Sequence, residues 1–467
     1  MNVEQIYTGC LSQASYLVIS GNEAAIIDPV RDIDLYLQKI KKHGDLKVKY
    51  IFETHFHADF VSGHLDLANT LGAEIIFGPE ANTAYDIYKG KDGEIFALGD
   101  INFKLLHTPG HTLESSCFLL IDKSGKNHAL FSGDTIFIGD VGRPDLAVSQ
   151  ELTSYELADL LYNSIHNKIY NLNDDLIIYP AHGAGSLCGK NMSSETYSTL
   201  GVQKQTNNAL KLKSKKDFIS YVIKDLPPSP SYFLHDVDKN KNGYKLLNRI
   251  VEDSFKLLDY DEFISNMKND VVVLDTRDSD SFCKAFIKGA INISLNGSFA
   301  IWAARLIDLN KKILLVTDTG HEQESIVRLS RVGFENIIGC LKGGIKTWID
   351  RAYNIDCIVN IQTDLAYSLI KEKFNSQKKL LIIDVRNDNE FQKHHIKDVL
   401  HCELSKISGL IKEIDKGEEL LIHCAGGYRS MIAASVFKKN NFKKVFNVAK
   451  GIDDIVKKHK NSDFLES

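Results

Sequence analysis

The chain has 467 residues, of which 43% are hydrophobic and 25% are charged, and its formal net charge is -5. That composition is typical of a globular protein of about three domains, and the charge gives no electrostatic reason to expect a nucleic acid or a membrane as partner. The N-terminal residues include Glu4 and no basic run, and no window holds about 18 consecutive apolar residues, so we expect no signal peptide, no membrane span and a cytoplasmic protein.

In residues 1–230, short apolar runs that predict strands alternate with glycine-rich turns, as in VKYIFETH, INFKLLHTPGHT, HALFSGDT and LIIYPAHG. Histidines and aspartates fall at or just after the ends of these runs, which is where an α/β sandwich presents its chemistry. Several such residues in strand-end turns indicate a metal site rather than isolated structural histidines. The candidate ligands are His55, His57 and Asp59 in THFHADF, His111 in TPGHT, Asp134 in FSGDT and His182 in YPAHG.

The segment THFHADF differs by one residue from the pattern H-x-H-x-D-H, because Phe60 stands where the last histidine would be. Together with the later ligand-type residues, it resembles the metallo-β-lactamase superfamily over about residues 1–230. The resemblance implies an αβ/βα sandwich with metals at one edge, between two sheets. A phenyl ring cannot coordinate a metal, so the residue at position 60 argues against a two-metal mechanism.

In dinuclear members of the superfamily, such as glyoxalase II hydrolases, two sets of ligands share one bridging carboxylate. Carried over to this chain, the first set is His55, His57 and His111, the second set is Asp59, position 60 and His182, and the bridge is Asp134. The residue at position 60 leaves the second set too small for tight binding, while the first set is complete. We therefore expect one metal ion per chain and no second metal.

One branch of this fold, the persulfide dioxygenase or ETHE-like family, uses a single iron, and the resemblance implies one Fe(II) here. The residues that match its iron ligands are His55, His111 and Asp134. Two imidazoles and one carboxylate on one face leave open positions, as in non-haem Fe(II) oxygenases, so that O2 and a persulfide sulfur can bind side by side. The resemblance also implies that further side chains orient the ligands and water by hydrogen bonds, namely His57, Asp59 and His182.

Further residues point to a substrate pocket beside the metal. The segment GDVGRPD matches a G-R-x-D segment of the family whose arginine organises the thiol-substrate pocket, and the matching residues are Arg143 and Asp145. A plain salt bridge between these two side chains is the alternative. Cys188 follows His182 closely and is predicted to hold a persulfide near the metal, with a buried structural thiol as the alternative. Tyr197 is predicted to line the same pocket.

The prolines mark a boundary, since three of the eight lie in LPPSPS and none follows. The polar, turn-rich sequence SYFLHDVDKNKNGYKLL comes next, so we predict a linker at residues 231–254. It would separate the first domain, residues 1–230, from two later domains at residues 255–356 and 360–467.

After the linker the sequence repeats itself, because Asp275 in VVVLDTRD corresponds to Asp384 in LLIIDVRN, an offset of 384 − 275 = 109 residues. KKILLVTDTG then matches EELLIHCAGG, and LKGGIKTWID matches VAKGIDDIV. Each copy reads as strand, helix, strand, loop, helix and strand, which predicts two small parallel α/β domains.

LLIHCAGGYRS combines an apolar strand, Cys424, a loop of small residues and Arg429 at the start of a helix. The backbone N–H groups of such a loop, with the helix N-terminus, form an anion cradle that favours a thiolate. The C-x4-R spacing, an earlier D-x-R at Asp384 and a later glycine at Gly451 resemble a rhodanese sulfurtransferase, whereas phosphatases use a loop one residue longer. The resemblance implies that Cys424 carries sulfane sulfur as a persulfide. The residues implied to stabilise it are Arg429 and the loop residues Ala425, Gly426, Gly427 and Tyr428.

The first copy lacks this chemistry, since VTDTGHEQES places Asp318 in register with Cys424 and has no arginine to close the loop. We therefore predict that residues 255–356 form an inactive rhodanese-like domain, used as a scaffold or an interface. The other cysteines are scattered without a C-x-x-C pair, so most are predicted to be buried thiols rather than members of disulfides.

The two resemblances together match the layout of bacterial fused persulfide dioxygenase–rhodanese proteins. They imply that O2 oxidises a low-molecular-weight thiol persulfide at one Fe(II), giving sulfite and thiol, and that Cys424 passes sulfane sulfur to sulfite, giving thiosulfate, or works in reverse, in the removal of sulfide. Glutathione, coenzyme A and bacillithiol all fit as the thiol, and a homo-oligomer is expected. The alternatives are a zinc-dependent thioester hydrolase like glyoxalase II, and a persulfide carrier or sensor without oxygenase turnover.

Overall fold

The computed structural model describes residues 1–44, 46–148, 152–268, 270–351, 354–376, 379–460 and 462–466. The chain forms two compact units, Met1–Ile250 with Ser330–Gly333, and Val251–Leu329 with Phe334–Ser467. Within the described ranges, no helix has both the length and the apolar character that a membrane span requires.

Two six-stranded sheets form the framework of the first unit. The strands of the first sheet, in spatial order, are β1 (Asn2–Thr8), β2 (Gln13–Ser20), β3 (Glu23–Ile27), β4 (Lys47–Phe52), β5 (Glu74–Phe77) and β6 (Tyr88–Lys89). The strands of the second sheet are β7 (Ile95–Leu98), β8 (Ile101–His107), β9 (Ser116–Ile121), β10 (Asn127–Gly133), β11 (Ile177–Pro180) and β12 (Ser198–Thr199). The first sheet is antiparallel up to β3 and parallel beyond it, and in the second only the β10–β11 pair is parallel.

The two sheets of the first unit pack face to face around aromatic side chains. The ring of Phe52 on β4 lies 4.9 Å from that of Phe103 and 4.4 Å from that of Phe118, both on the second sheet. A second apolar cluster joins the other face of the second sheet to helices α3 and α5. The helices of this unit are α1 (Asp34–Lys42), α2 (His64–Leu71), α3 (Ser154–Ser164), α4 (Leu200–Thr206), α5 (Lys215–Ile223) and α6 (Tyr232–Asn242). Helix α3 continues as a π-helical turn over Ile165–Ile169. A further helix, α7 (Leu247–Ser254), begins in this unit and ends in the second. This is the αβ/βα sandwich predicted from the sequence.

Residues 231–254 differ from the predicted linker, because they contain helices α6 and α7 and the first unit extends to Ile250. Helix α6 buries one face through Tyr232, Asp236 and Asn240, which are four residues apart and therefore lie on one side of the helix. Two of these three side chains are polar, so the segment has the composition of a linker although it packs as part of the fold.

The second unit consists of two successive copies of one parallel α/β arrangement. The strands and helices of the first copy are β13 (Leu257–Leu258), α8 (Tyr260–Asn266), β14 (Val271–Asp275), α9 (Ser279–Phe282), β15 (Phe286–Ile287), β16 (Ile291–Asn292), α10 (Phe299–Leu306), β17 (Lys312–Val316), α11 (Glu322–Ser330), β18 (Ile337–Leu341), α12 (Gly344–Arg351) and β19 (Ile355–Asp356). Those of the second copy are β20 (Val359–Ile361), α13 (Thr363–Ser376), β21 (Leu381–Asp384), α14 (Asp388–Lys393), β22 (His395–Ile396), β23 (Leu400–His401), a 3-10 turn (Leu404–Lys406), α15 (Ile407–Leu410), β24 (Glu419–His423), α16 (Tyr428–Lys439), β25 (Lys444–Val448), α17 (Gly451–Lys458) and β26 (Leu465–Glu466).

The main sheets of the two copies have the same strand order. The first runs β13-β18-β17-β14-β16 and the second runs β20-β25-β24-β21-β23, and every pair in both is parallel. Each copy also has a small antiparallel pair, β15 with β19 and β22 with β26. The structure therefore confirms the two rhodanese-like parallel α/β domains expected from the sequence repeat.

A buried arginine–aspartate fork recurs in both copies. In the first, Nη2 of Arg277 donates to Oδ2 of Asp275 at 2.6 Å and to the carbonyl of Ala285 at 2.9 Å. In the second, Nη2 of Arg386 donates to Oδ2 of Asp384 at 2.7 Å and to the carbonyl of His394 at 2.7 Å. The first copy has the same fork although it has no reactive cysteine in its loop. The D-x-R motif therefore stabilises the fold rather than taking part in chemistry.

Candidate functional site

The candidate metal ligands follow strands that end at the same edge of the sandwich. Strand β4 leads into the THFHADF segment, and strands β8, β10 and β11 lead to His111, Asp134 and His182. Gly133, at the end of β10, has a φ of 50°, and a Cβ there would lie 2.5 Å from Oγ1 of Thr54. The absence of a side chain at Gly133 therefore allows the strand end that carries Asp134 to approach the THFHADF segment closely.

Three of the predicted ligands form a buried cluster. One ligand atom from each of His55, His111 and Asp134 lies within 4.8 Å of the others. Oδ2 of Asp134 is 3.7 Å from Nε2 of His55 and 3.4 Å from Nε2 of His111. Two imidazoles and one carboxylate thus converge, as the resemblance to mononuclear iron members implies.

Hydrogen bonds behind the cluster orient both imidazoles. Nδ1 of His111 lies 2.9 Å from the carbonyl of Arg143, which can only accept, so this nitrogen carries the proton. Nδ1 of His55 lies 2.9 Å from the hydroxyl of Thr54, which donates its own hydrogen to Oδ2 of Asp28 at 2.9 Å. The Nε2 atoms that face Asp134 are therefore the unprotonated, ligand-competent nitrogens.

The charges of the cluster fit a bound cation. Oδ2 of Asp134 is buried and has no hydrogen-bond partner among the described residues, which is costly unless a cation binds there. Burial alone raises the pKa of Asp134, but the surrounding histidines, His182 first, lower it well below its usual range. Burial, with His57 nearby, lowers the pKa of His55 well below its usual range. A neutral imidazole and an ionised carboxylate are the forms that bind a divalent metal.

His57 points away from this cluster, towards a second buried group. Its Nε2 lies 3.2 Å from Oδ1 of Asp28 and 3.5 Å from Oε2 of Glu53, and these three residues form a cluster of their own. Burial lowers the pKa of His57, but the two carboxylates, Asp28 first, outweigh burial and raise it to about 10. The side chain of His57 therefore lies outside the cluster of His55, His111 and Asp134, and its supporting role behind a mononuclear centre stays a prediction.

The other two predicted supporting residues, Asp59 and His182, meet next to the metal cluster. Nε2 of His182 is 3.0 Å from Oδ2 of Asp59, and its Nδ1 is 2.7 Å from Oδ1 of Asp134. Burial lowers the pKa of His182, but the carboxylates of Asp134 and Asp59 raise it well above its usual range.

Phe60 is fully buried and stacks on His57 with ring centroids 4.4 Å apart, so an apolar ring fills the place of the missing ligand.

Cys188 joins Asp59 and His182, a placement that the sequence did not specify. Ligand atoms of these three residues lie within 4.8 Å of one another, and all three are buried. Burial and the carboxylates of Asp59 and Asp134 raise the pKa of Cys188 well above its usual range, so it is a thiol at neutral pH. The thiol adds a third donor to Asp59 and His182, which the sequence analysis expected to be too few to bind a second metal. Its use as a persulfide holder stays a prediction.

The prediction of a single metal can be tested through Cys188→Ala. We expect the wild-type chain and the variant to bind one iron each, because Phe60 occupies the second position and its ring has no donor atom. Elemental analysis of both proteins after anaerobic loading with Fe(II), and separately with Zn(II), measures the stoichiometry. Two ions in the wild type and one in the variant would instead identify Cys188 as a ligand that replaces the absent histidine. The matched control is Cys117→Ala, at a buried cysteine outside the three clusters.

Arg143 and Asp145 form a salt bridge inside the fold. Nε and Nη2 of Arg143 donate to the two carboxylate oxygens of Asp145 at 2.6 and 2.7 Å. Nη1 donates to the carbonyl of Leu187 at 3.2 Å and Nη2 also donates to that of Pro227 at 2.6 Å. The backbone of Arg143 bonds to Cys188 through its N–H, at 3.1 Å, and to His111 through its carbonyl. The side chain is committed to these contacts, so it organises the segments that carry His111 and Cys188.

Tyr197 lies on the surface, with 61% of its area exposed, and its ring is 6.0 Å from that of Tyr179. It is outside the three buried ligand clusters. The structure therefore gives no contact by which it lines the metal site, and its predicted role is not supported by its position.

Asn240 on helix α6 is a supporting residue that sequence reasoning missed. Its side-chain amide donates to the carbonyls of His57 and Phe60, each at 2.8 Å, and its carbonyl oxygen accepts from the N–H of Ser62 at 2.9 Å. The side chain thereby fixes the backbone of the THFHADF segment from outside the two sheets. The only sequence signal was the four-residue spacing of Tyr232, Asp236 and Asn240.

The Cys424 loop is tightly curled, and one of its N–H groups points at the sulfur atom. Cys424 is 1% exposed, and its Sγ accepts the N–H of Gly427 at 3.1 Å and lies 3.4 Å from Oγ of Ser430. Gly427 has a φ of 96°, and a Cβ there would lie 2.0 Å from the carbonyl of Ala449. A Cβ at Gly451, with a φ of 62°, would lie 2.1 Å from the carbonyl of Ala425. Both glycines are required for the loop to curl beneath helix α16, while Gly426 is exposed at the mouth of the loop.

Arg429 is paired with a carboxylate that the sequence analysis did not single out. Its Nη1 and Nη2 donate to the two oxygens of Glu390 at 2.6 Å each. Burial raises the pKa of Glu390, but the Arg429 pair outweighs burial and lowers it. Glu390 is also the third helical residue of α14 and forms a capping box with Asn387, so its side chain is held by the helix start. The cation of the loop is therefore partly neutralised.

Glu390→Gln is expected to lower the KM for thiosulfate, a dianion, because the carboxylate that competes for Arg429 loses its charge. The pair is partly exposed, so an effect of about five-fold is expected. Steady-state sulfur transfer from thiosulfate to cyanide measures it, with Glu419→Gln, at another partly exposed ion pair of the same copy, as the control. A raised KM would show instead that Glu390 holds Arg429 in its productive position.

In the first copy, the matching loop has lost the cradle. Asp318 is exposed, and the N–H of Gly320 donates to Oε2 of Glu322 at 2.8 Å. The residue in register with Gly427 is His321, whose N–H donates to the carbonyl of Asp318 at 3.1 Å, whereas the N–H of Gly427 donates to a sulfur atom. This arrangement supports the prediction that the first copy does not carry sulfane sulfur.

Comparison with known proteins agrees with the fold of both units. A model of the metallo-β-lactamase superfamily matches residues 8–182, and a rhodanese-like domain model matches residues 259–351 and 367–458. The hydroxyacylglutathione hydrolase GloC of Haemophilus influenzae is 31% identical over 236 residues, which are 46% of this chain and 100% of that protein. The mitochondrial persulfide dioxygenase ETHE1 of Mus musculus is 30% identical over 209 residues, which are 44% of this chain and 74% of that protein.

A solved structure extends the similarity beyond the first unit. It is a metallo-β-lactamase from Staphylococcus aureus subsp. aureus COL, 32% identical with a TM-score of 0.64, and the match covers 73% of this chain and 99% of that one. The chain therefore belongs to the metallo-β-lactamase superfamily, with an ETHE-like first domain fused to two rhodanese-like domains. Its relatives include both hydrolases and dioxygenases, so the choice between those activities has to come from the site itself.

Proposed function

We propose that this protein is a mononuclear non-haem iron persulfide dioxygenase whose second rhodanese-like domain transfers sulfane sulfur. The observation that carries the proposal is the cluster of His55, His111 and Asp134, since two neutral imidazoles and one carboxylate suit Fe(II) and leave open coordination positions. The position of His57 supports it, because in a two-metal hydrolase the matching residue would be a ligand, whereas here its Nε2 lies 3.2 Å from Oδ1 of Asp28 and 3.5 Å from Oε2 of Glu53.

The proposed reaction is RSSH + O2 + H2O giving RSH and H2SO3, in which the terminal sulfur loses four electrons and O2 gains them. Iron would supply the binding of O2 and of the persulfide sulfur. The chain's own residues hold the ligands and exclude bulk water, since all three ligands are buried. Oδ1 of Asp59 is buried and without a hydrogen-bond partner in the described part of the chain, so it is suited to accept a hydrogen bond from the water that the reaction consumes.

Sulfite from this reaction is a sulfur acceptor for the second site. A persulfide on Cys424 would transfer its outer sulfur to sulfite, so that the S–S bond to Cys424 breaks, a new S–S bond forms in thiosulfate and the cysteine leaves as a thiolate. The N–H of Gly427, 3.1 Å from Sγ, stabilises that thiolate. Run in reverse, the same step loads Cys424 from thiosulfate. The cell would use the pair of reactions to remove excess sulfide.

The test is oxygen uptake by anaerobically handled, iron-loaded protein on addition of glutathione persulfide, coenzyme A persulfide or bacillithiol persulfide in separate runs. Uptake of one O2 per persulfide, with sulfite or thiosulfate appearing, is expected, and the most efficient of the three donors identifies the thiol. Full iron occupancy without uptake for any donor would overturn the dioxygenase proposal.

A zinc-dependent thioester hydrolase is the second candidate, favoured by one observation. Three donors lie next to the first cluster, namely Asp59, His182 and Cys188. Three donors are enough to bind a second ion, and only Phe60 argues against that ion. Two zinc ions per chain in protein purified without added metal, with hydrolysis of a glutathione thioester and no oxygen uptake after iron loading, would establish it. If the protein shows sulfur transfer by Cys424 but neither oxygen uptake nor thioester hydrolysis, the remaining hypothesis is a persulfide carrier or sensor.

A further inference from the structure

Helix α16, which begins directly after the Cys424 loop, is buried along most of its length. Its residues from Ser430 to Phe437 are all buried, although a helix covering only its own sheet would expose one face. Strands β24 and β25 of the same copy cover one side, and strand β16 of the inactive copy contacts the helix as well. The N–H of Asn292 on β16 donates to Oγ of Ser435 on α16 at 3.0 Å. The two copies thus share this helix within one compact unit.

The first residue of helix α16 is held by the inactive copy. The hydroxyl of Tyr428 donates to the carbonyl of Ser294 at 3.0 Å. Its ring packs on Gly297, where a Cβ would lie 2.7 Å from the ring carbon Cζ. Gly297 lies in the middle of an exposed turn and its φ is not in the left-handed region, so the ring, rather than the backbone, is the reason that only glycine fits. We refer to residues 294–298 as the clamp turn.

Arg328, on helix α11 of the inactive copy, fixes the clamp turn. Its Nη1 donates to the carbonyl of Leu295 at 2.8 Å, and its Nη2 donates to the carbonyl of Gly297 at 3.0 Å. The guanidinium lies 5.5 Å from the ring centroid of Phe299 and pairs with Glu324 one turn earlier on the helix, at 3.1 Å. Two charge-assisted hydrogen bonds to neighbouring carbonyls set the path of the turn that meets Tyr428.

Tyr428 lies between Gly427, whose N–H points at Cys424, and Arg429, the cation of the loop. Fixing Tyr428 from outside therefore fixes the direction of the loop amide on one side and of the guanidinium on the other. We propose that the inactive copy is a positioning domain for sulfur transfer, in which Arg328 and Gly297 shape the clamp turn and the clamp turn holds Tyr428 in register with Cys424. The inference rests on the proposed sulfur transfer by Cys424.

This arrangement explains why the first copy keeps its fold after losing the cysteine. Its own loop, with the exposed Asp318, presents no reactive group, but its β16 contacts helix α16 and its clamp turn contacts Tyr428 of the active loop. Residues that position a reacting group through another side chain act on the rate of the chemical step more than on binding, since a displacement of about 1 Å costs on the order of 10²-fold.

Three single variants of the iron-loaded chain test the proposal, together with Tyr428→Ser and the double variant Gly297→Ala with Tyr428→Ser. Gly297→Ala pushes on the Tyr428 ring, Arg328→Gln frees the clamp turn, and Tyr428→Phe removes the hydrogen bond to Ser294 while keeping the ring. Arg351→Gln, at an exposed arginine of the same copy, is the matched control for Arg328→Gln. Sulfur transfer from thiosulfate to cyanide is measured as kcat and KM, together with oxygen uptake with a persulfide and the thermal midpoint.

We expect Gly297→Ala and Arg328→Gln to lower kcat for sulfur transfer about 10- to 100-fold with little change in KM. Tyr428→Phe should lower it by less, about three-fold, because the ring still fills the space on Gly297. Oxygen uptake and the Arg351→Gln control should be unchanged. In the double variant Gly297→Ala with Tyr428→Ser, the loss should equal that of Tyr428→Ser alone, because the alanine then has no ring to displace.

Wild-type kcat in both Gly297→Ala and Arg328→Gln, or a fully additive double variant, would overturn the positioning role. A fall in the thermal midpoint with loss of oxygen uptake as well would reduce the contact to general stability and overturn it too. Failure of the underlying function looks different: wild-type protein without transfer activity, or with transfer unaffected by Cys424→Ser, would remove the proposed sulfur transfer itself.

Discussion

Asp134→Asn is expected to abolish stable iron binding and to lower oxygen uptake with a thiol persulfide by at least about 100-fold, because even groups behind a metal ligand change affinity 10- to 100-fold. The asparagine keeps the shape of the side chain and can still accept the proton of Nδ1 of His182. It removes the negative charge that lies between the Nε2 atoms of His55 and His111. Two neutral imidazoles alone bind Fe(II) weakly.

The control for that variant is Asp175→Asn, the same chemical change at an exposed residue of the same unit. Iron content by elemental analysis, oxygen uptake and sulfur transfer by Cys424 are measured on both proteins. Sulfur transfer should be unchanged in Asp134→Asn, which shows that the second unit is folded. Normal iron content with normal oxygen uptake would mean that Asp134 is not a ligand, and the proposed metal centre would then be wrong.

The metal cluster was predictable from sequence because it depends on strand ends. A buried strand followed by a short turn delivers its next polar side chain to the edge of the sheet, so the order of strands and turns was enough to predict that the ligand-type residues meet there. The choice of His55, His111 and Asp134 among them came from the resemblance to the mononuclear iron family. The loss of one ligand at position 60 was also readable, since phenylalanine has no donor atom.

The direction in which each ligand-type side chain points could not be read from the sequence. His55 and His57 are two residues apart in one segment, yet one faces Asp134 and the other faces Asp28 and Glu53. The partners that these rings face, Asp134, Asp28 and Glu53, lie on other segments, and only the fold brings them near. Cys188 meets Asp59 for the same kind of reason, through the bond between its carbonyl and the N–H of Arg143.

Helix α6 shows a different limit of sequence reasoning. A face made of Asp236 and Asn240 looks solvent-exposed on hydropathy, but Asn240 is buried and bonded to the backbone of the metal segment. Helix prediction depends on the periodic spacing of apolar residues. That spacing is lost where buried positions hold polar side chains whose partners lie far away in the chain.

In the rhodanese-like copies, the sequence predicted the cysteine loop but not its partners. The C-x4-R spacing was enough because the loop lies within one short segment, in which the N–H of Gly427 donates to Sγ of Cys424. Glu390 and Ser294, which restrain Arg429 and Tyr428, come from other helices and turns, and the residue type at neither position signals that contact.

The two sites complement each other chemically. The proposed metal reaction releases sulfite, and a persulfide on Cys424 needs a nucleophile such as sulfite to accept its sulfur. Under the same proposal, sulfur that Cys424 takes from thiosulfate would pass to a thiol and give the persulfide that is the proposed substrate of the metal site. The chain would then form thiosulfate where sulfite accumulates, and sulfite where thiosulfate accumulates.

Cys424→Ser is expected to remove sulfur transfer while leaving oxygen uptake intact. A serine hydroxyl cannot form a persulfide, and loss of the nucleophile should cost on the order of 10³-fold or more in kcat, as in other enzymes that form a covalent intermediate. The serine fits the space of the buried thiol and can accept the N–H of Gly427, so the fold should hold. With a thiol persulfide and O2, the product of the variant should be sulfite, whereas the wild type should also form thiosulfate.

The matched control is Cys402→Ser, the same substitution at a partly buried cysteine of the same copy that lies outside the loop. Products are separated by ion chromatography of the reaction mixture, and transfer from thiosulfate to cyanide is measured in parallel. Thiosulfate formed by Cys424→Ser at the wild-type rate would show that free sulfite and persulfide react without the second unit. The rhodanese-like domain would then not take part in the pathway that the metal site begins, and its substrate would have to be sought elsewhere.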